Sequence, residues 1–119
     1  MKKTLVIGAS PNPARYAYTA VRQLKAHGFE PIPLGIRKGA IDGIPILRGY
    51  PDLVDVHTVT LYLNPSRQAQ YYDYILKLKP ERLIFNPGAE NPELMQLARE
   101  AGIEVEAGCT LVMLSVGNY

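Results

Sequence analysis

The 119-residue sequence predicts an α/β fold: a single doubly wound domain on a mostly parallel sheet of about five strands. Three observations carry that expectation. Short apolar runs of strand length alternate with segments of helical periodicity. Several of the runs are apolar throughout rather than at every second position, as in strands covered on both faces. The connections are long enough for the crossovers that parallel pairing requires. One domain spanning residues 1–119 can bury roughly two-thirds of its unfolded surface, so it needs no disulfide or metal to fold.

The first strand is residues 4–7, Thr-Leu-Val-Ile, ending at Gly8. A helix follows over 15–26, with Tyr18, Val21 and Leu24 every three residues and Ala17 and Ala20 widening the stripe. Gly28 ends it in the left-handed position. Residues 30–34 form the second strand, and Pro31 and Pro33 predict a short or weak ladder there. The Gly- and Pro-rich stretch 35–55 reads as a loop with a small strand around 44–47 and a helical turn near 52–54. Residues 56–63, β-branched and apolar, are the clearest strand. Asn64-Pro65 supplies a cap and a first-turn proline for a helix to about Lys79. Residues 82–85 are the next strand, and Asn91-Pro92-Glu93 opens a helix that stops at Gly102. Residues 103–106 are the last clear strand, and 110–114 are apolar enough for a short extra one.

Thirteen Lys and Arg against eleven Asp and Glu leave a formal charge of +2. That is too little for a protein whose partner is nucleic acid or a membrane surface. A lone cysteine, Cys109, has no internal partner and fits a reducing compartment. The N-terminal apolar run stops at Ser10-Pro11-Asn12-Pro13, short of a signal peptide, and no stretch nears the ~18 residues of a membrane helix. The expectation is a soluble, cytoplasmic protein.

A parallel sheet binds ligands beyond the carboxyl ends of its strands. In the first loop, Gly8-Ala9-Ser10-Pro11 leads to Arg15 at a helix N-terminus, where free N–H groups favour an anion. It is not the dinucleotide fingerprint, because Ser10 and Pro13 stand where glycines belong. The second loop, Gly35-Ile36-Arg37-Lys38, has no carboxylate to take the two ribose hydroxyls of NAD, and its cations suit a ribose phosphate, as in CoA or NADP. Asn64 follows the third strand, and Asn86-Pro87-Gly88 follows the fourth with backbone free to approach a ligand. Capping alone accounts well for Asn64. Catalytic chemistry is sparse: His57 lies at the wrong end of its strand, His27 closes a helix, and Cys109 reads as buried or inert. Tyr71 and Tyr74 read as packing. No catalytic triad, metal spacing or phosphate loop is present.

The run from Gly8 to Tyr16, with His27-Gly28-Phe29-Glu30, Gly43-Ile44-Pro45, Tyr50-Pro51-Asp52-Leu53, Asn86-Pro87-Gly88 and Gly108-Cys109-Thr110, resembles the small single-domain CoA-binding proteins. These are similar to the CoA-binding domain of the succinyl-CoA synthetase α subunit. The resemblance covers nearly the whole chain. It implies a Rossmann-like fold holding CoA or an acyl-CoA across the strand ends, with Gly8, Ser10, Pro11 and Arg15 matching the first-loop motif. It also implies a binding module with no catalysis of its own. The chain departs from the family pattern at Leu34-Gly35-Ile36, at Tyr62-Leu63 and at Ala107-Gly108, where two family arginines are missing. Two other readings stay open: an NADP-dependent reductase using the same cleft, and an interaction module whose nucleotide site has decayed. A homo-oligomer or an unidentified protein partner is not readable from the sequence.

Overall fold

The computed structural model describes residues 2–119; Met1, counted in the expected domain, lies outside them. The first apolar run becomes β1 (Lys3–Ile7), flanked in parallel by β2 (Glu30–Leu34) on one side and β5 (Thr58–Leu61) on the other. Beyond β5 follow β6 (Arg82–Phe85) and β7 (Glu104–Ala107), also parallel, giving the order β2-β1-β5-β6-β7. Side chains alternate along each strand, so β1 feeds two cores. Leu5 and Ile7 join Leu83 and Phe85 beneath Ile75 of α2 (Tyr72–Leu78) and Leu94 and Ala98 of α3 (Pro92–Glu100). On the opposite face, Val6 packs with Val21 and Leu24 of α1 (Tyr16–Ala26) and Leu114 of α4 (Thr110–Ser115). The fold is therefore the expected single α/β domain, wound on both faces.

The prolines of β2 do not shorten its ladder, which runs through all five residues from Lys3↔Glu30 to Ile7↔Leu34. The Glu30 N–H donates inward to the Lys2 carbonyl at 3.1 Å. Alternation then turns Ile32 and Leu34 the same way and leaves Pro31 and Pro33 facing the outer edge, where a missing N–H costs nothing. That edge is covered in part by an antiparallel hairpin, β3 (Ala40–Ile41) and β4 (Ile44–Pro45). Asp42 and Gly43, with φ of 48° and 79°, form its two-residue turn. Past the hairpin, the Leu47 N–H donates to the Pro33 carbonyl at 2.9 Å.

Four other expectations are corrected. Residues 52–54 form no helical turn. The third main strand is Thr58–Leu61, shorter than residues 56–63, because its ladders with both neighbours span only those four residues, ending at Ile7↔Leu61 and Leu61↔Phe85. The helix expected over 64–79 is two 3-10 turns, Pro65–Arg67 and Ala69–Tyr71, followed by α2; the break falls at the inward-drawn Gln68. Residues 110–114 are α4, not a strand. The buried Thr110, Met113 and Leu114 sit at helical spacing, the Thr110 hydroxyl is bonded to that of Thr60 at 2.8 Å, and its N–H donates to Asn86 Oδ1 at 2.9 Å.

At the amino ends of the strands, Tyr119 closes the domain. Arg82 is almost fully buried in β6 and donates to the Thr58 hydroxyl at 3.2 Å and to the Tyr119 backbone oxygen at 2.9 Å. The Tyr119 ring lies 4.4 Å from the guanidinium carbon and edge-on to Phe29 at 4.8 Å. These contacts compensate the lost hydration of the buried guanidinium in part, since Nη2 is buried without a hydrogen-bond partner. Tyr119→Ala is therefore expected to cost about 2 kcal/mol, a fall of roughly 8 °C in Tm, against about half that for Tyr119→Phe, which keeps the ring and loses only the hydroxyl's hydrogen bond with Thr4 Oγ1. Thermal denaturation followed by circular dichroism checks it, and equal losses in the two variants would remove the ring from the explanation.

Candidate functional site

Strand order reverses between β1 and β5, the point at which an open parallel sheet leaves a crevice above its carboxyl ends. A cavity of about 730 Å³ opens there, lined by the loops after β1, β2, β5 and β6.

The loop after β1 is drawn back onto β2. Gly8, with φ of 100°, and Ala9 both donate their N–H groups to the Leu34 carbonyl, at 2.9 and 3.0 Å. The chain end of β2 then passes so close that a Cβ on Gly35 would stand 2.1 Å from the Ala9 carbonyl oxygen. Two side-chain turns carry the loop into α1. Ser10 Oγ accepts from the Asn12 N–H at 3.1 Å, and Asn12 Oδ1 accepts from the Ala14 N–H at 3.0 Å. Arg15 occupies the N-cap position with extended backbone, and no acidic residue occupies the first turn of α1.

Nine of the twelve residues singled out in the sequence line this cavity: Gly8, Ala9, Ser10, Arg15, Gly35, Arg37, Asn64, Pro87 and Gly88. Three do not. Pro11 packs beside Gly39, and Lys38 is exposed away from the lining. Asn86 is buried and fully used in joining β5, β6 and α4: its Nδ2 donates to Thr60 Oγ1 at 2.6 Å and to the Leu61 carbonyl at 2.8 Å. Asn64 does not cap with its side chain, because Oδ1 accepts instead from the Ser66 hydroxyl at 2.6 Å.

Sequence reasoning missed Arg67, Asn12, Tyr16, Ile36, Gln70 and Tyr71, all of which line the cavity. Arg67 left a signal, since a cation in the first turn of an expected helix opposes the helix dipole. With Arg67 the cavity gathers three arginines, 15, 37 and 67, and no carboxylate among its lining residues. None of the three is ion-paired among the described residues, where the ion pairs are Arg22 with Asp42 and His57 with Glu81. The lining thus carries a formal +3, more than the +2 of the entire chain.

Besides the arginines, the only titratable groups in the lining are the tyrosines 16, 62 and 71. His57 lies at the amino end of the sheet, its Nε2 3.1 Å from Glu81, and burial holds its pKa below the usual value against the opposing pull of that carboxylate. Tyr62 borders the cavity, and burial pushes its phenol above the ordinary 10, so it is neutral at physiological pH. Tyr71 and Tyr74 both pack edge-on to Tyr50, at 5.8 and 5.5 Å, in keeping with a packing role. Cys109 is half-buried and outside the lining. Among the described residues no group of three or more metal-ligating side chains occurs, and no helix is long and apolar enough to cross a membrane.

Comparison with solved structures places the same fold in other small proteins. The crystal structure of an uncharacterized protein is 55% identical, with a TM-score of 0.98 over 100% of this chain and 98% of that one. A hypothetical protein from Pyrococcus horikoshii OT3 is 26% identical, with a TM-score of 0.88 over 97% of this chain and 82% of that one. A Thermus thermophilus protein, cell-free ID.343, is 26% identical, with a TM-score of 0.85 over 99% and 90%. No match is found among proteins of curated function. The family described as CoA binding domain matches residues 2–115, which takes in every strand, α1 to α4 and all the loops of the cavity. With nearly its whole length accounted for in this way, the chain belongs to the CoA-binding domain family.

Proposed function

We propose that the protein binds CoA or an acyl-CoA in this cavity as a stand-alone module, without catalysis of its own. The observation that carries the reading is the cavity's unopposed charge: three arginines from three loops and no carboxylate, at the switch point of the sheet. CoA brings a diphosphate and a 3′-phosphate. The N-terminus of α1 with Arg15 suits the diphosphate, and Arg37 after β2 suits the ribose phosphate, because the adenosine half of such ligands lies over the second strand. The close contact of Gly35 with Ala9 keeps that floor free of side chains. The expectation of no catalysis draws support from the lining, which includes no His, Cys, Lys, Asp or Glu.

Thermal denaturation with CoA, acetyl-CoA, NAD and NADP tests the reading. A ligand at a hundredfold its Kd adds about 2.7 kcal/mol, so CoA is expected to raise Tm by roughly 10 °C and NAD to leave it unchanged. Equal shifts from CoA and NAD would overturn the assignment. A shift from NADP but not CoA would favour a reductase, and none from any nucleotide a decayed site.

A further inference from the structure

We propose that Gln68 is a positioning residue of the CoA site, tying together the two loops that wall the cavity on its β5–β6 side; this role rests on the CoA reading above. Gln68 is fully buried although Arg67, Ala69 and Gln70 around it are exposed. A primary amide is buried at such a turn only when its hydrogen bonds are satisfied. Both protons of Nε2 are used, one on the Leu63 carbonyl at 2.8 Å and one on the Ala89 carbonyl at 2.7 Å. Its Oε1 accepts from Asn91 Nδ2 at 2.9 Å. Asn91 in turn donates to the Tyr72 hydroxyl at 2.7 Å, and its Oδ1 accepts from the Leu94 N–H at the start of α3.

Leu63 and Ala89 both line the cavity, one in the loop after β5 and one in the loop after β6. The last backbone hydrogen bond between these two stretches is Asn86 N–H to the Leu61 carbonyl, at 3.4 Å. Past that point Gln68 is the tie, and it sets the separation of the two walls. Arg15 and Arg37 stand on the β1–β2 side, which takes the phosphorylated adenosine half. The thiol-bearing arm of CoA then extends between the walls that Gln68 joins. Loss of the tie is felt by the arm and not by the nucleotide half.

Titration calorimetry with CoA and with adenosine 3′,5′-bisphosphate, on the wild type, Gln68→Met and Gln68→Glu, separates the two halves. The wild type is expected to bind both ligands. Gln68→Met, of similar size but with no donor, is expected to weaken CoA tenfold or more and leave the bisphosphate within about twofold. Gln68→Glu is expected to show the same split at neutral pH and to narrow it relative to wild type on acidification, when a protonated carboxyl again donates to one carbonyl. If Gln68→Met does not fold, the Gln68→Glu comparison stands alone. Equal weakening of both ligands, or no change in either, overturns the positioning role. A wild type that binds neither ligand overturns the CoA reading itself.

Discussion

Gly35→Ala is expected to lower Tm by roughly 15 °C, a loss of about 4 kcal/mol. The position of the added methyl is set by the backbone, 2.1 Å from the Ala9 carbonyl oxygen and 3.0 Å from its carbonyl carbon. Neither atom belongs to a flexible side chain, so relief requires moving the loop after β1 or the end of β2. Both are held, since Gly8 and Ala9 share the Leu34 carbonyl and the Gly35 N–H donates to the Leu47 carbonyl at 2.9 Å. Overpacking in a yielding core costs less, typically 1–3 kcal/mol. Gly28→Ala is a fitting control, because a Cβ there meets nothing within 4 Å and only the backbone strain of φ 84° remains. Similar losses in the two variants would show that the contact with Ala9 relaxes.

The second large effect is on affinity. Arg15→Ala is expected to weaken CoA about tenfold or more, and the triple variant Arg15→Ala, Arg37→Ala, Arg67→Ala by roughly 10³-fold, with little change in Tm. A charge-assisted bond is worth about 1.5–3 kcal/mol when desolvated, and exposed side chains such as these belong near the lower end. About 1.4 kcal/mol per arginine gives the tenfold steps. The roles are separable. Arg37→Ala is expected to weaken CoA while leaving 3′-dephospho-CoA nearly untouched, whereas Arg15→Ala weakens both. Calorimetry on the two ligands reads the difference, and equal weakening by Arg37→Ala would remove it from the 3′-phosphate. Added salt should weaken the wild type more steeply than the triple variant.

The sequence revealed the fold where one local signal dominated, and misled where two competed. The strands at 30–34 and 82–85 were legible to the residue, because apolar runs there end abruptly at glycine, asparagine or charge. The α4 segment was misread because apolar content suggested a strand, while the spacing of Thr110, Met113 and Leu114 already carried the helical period. Of the hairpin only the second strand was read, within 44–47; β3 and the turn were missed although Asp42-Gly43 is a strong two-residue turn signal, since a two-residue strand is too short to show alternation. In the site, loop position sufficed for the backbone-lining residues such as Gly8, Gly35 and Gly88. It failed for Asn86 and Gln68. Their amides turn inward to partners more than twenty residues away, and no local pattern records such a pairing.

The prolines of β2 have a consequence for self-association. Sheet edges present unpaired amides and can recruit further strands. On one flank Pro31 and Pro33 have no N–H to offer and the Leu47 segment already occupies the Pro33 carbonyl, so that flank is closed to newcomers. On the other flank β7, four residues long, has no strand beyond it among the described residues. A sheet with a single receptive edge is monovalent. Two copies joined edge to edge through β7 would present β2 at both outer margins, and growth would stop there. Edge pairing through β7 would therefore end at a closed pair rather than extend by strand addition.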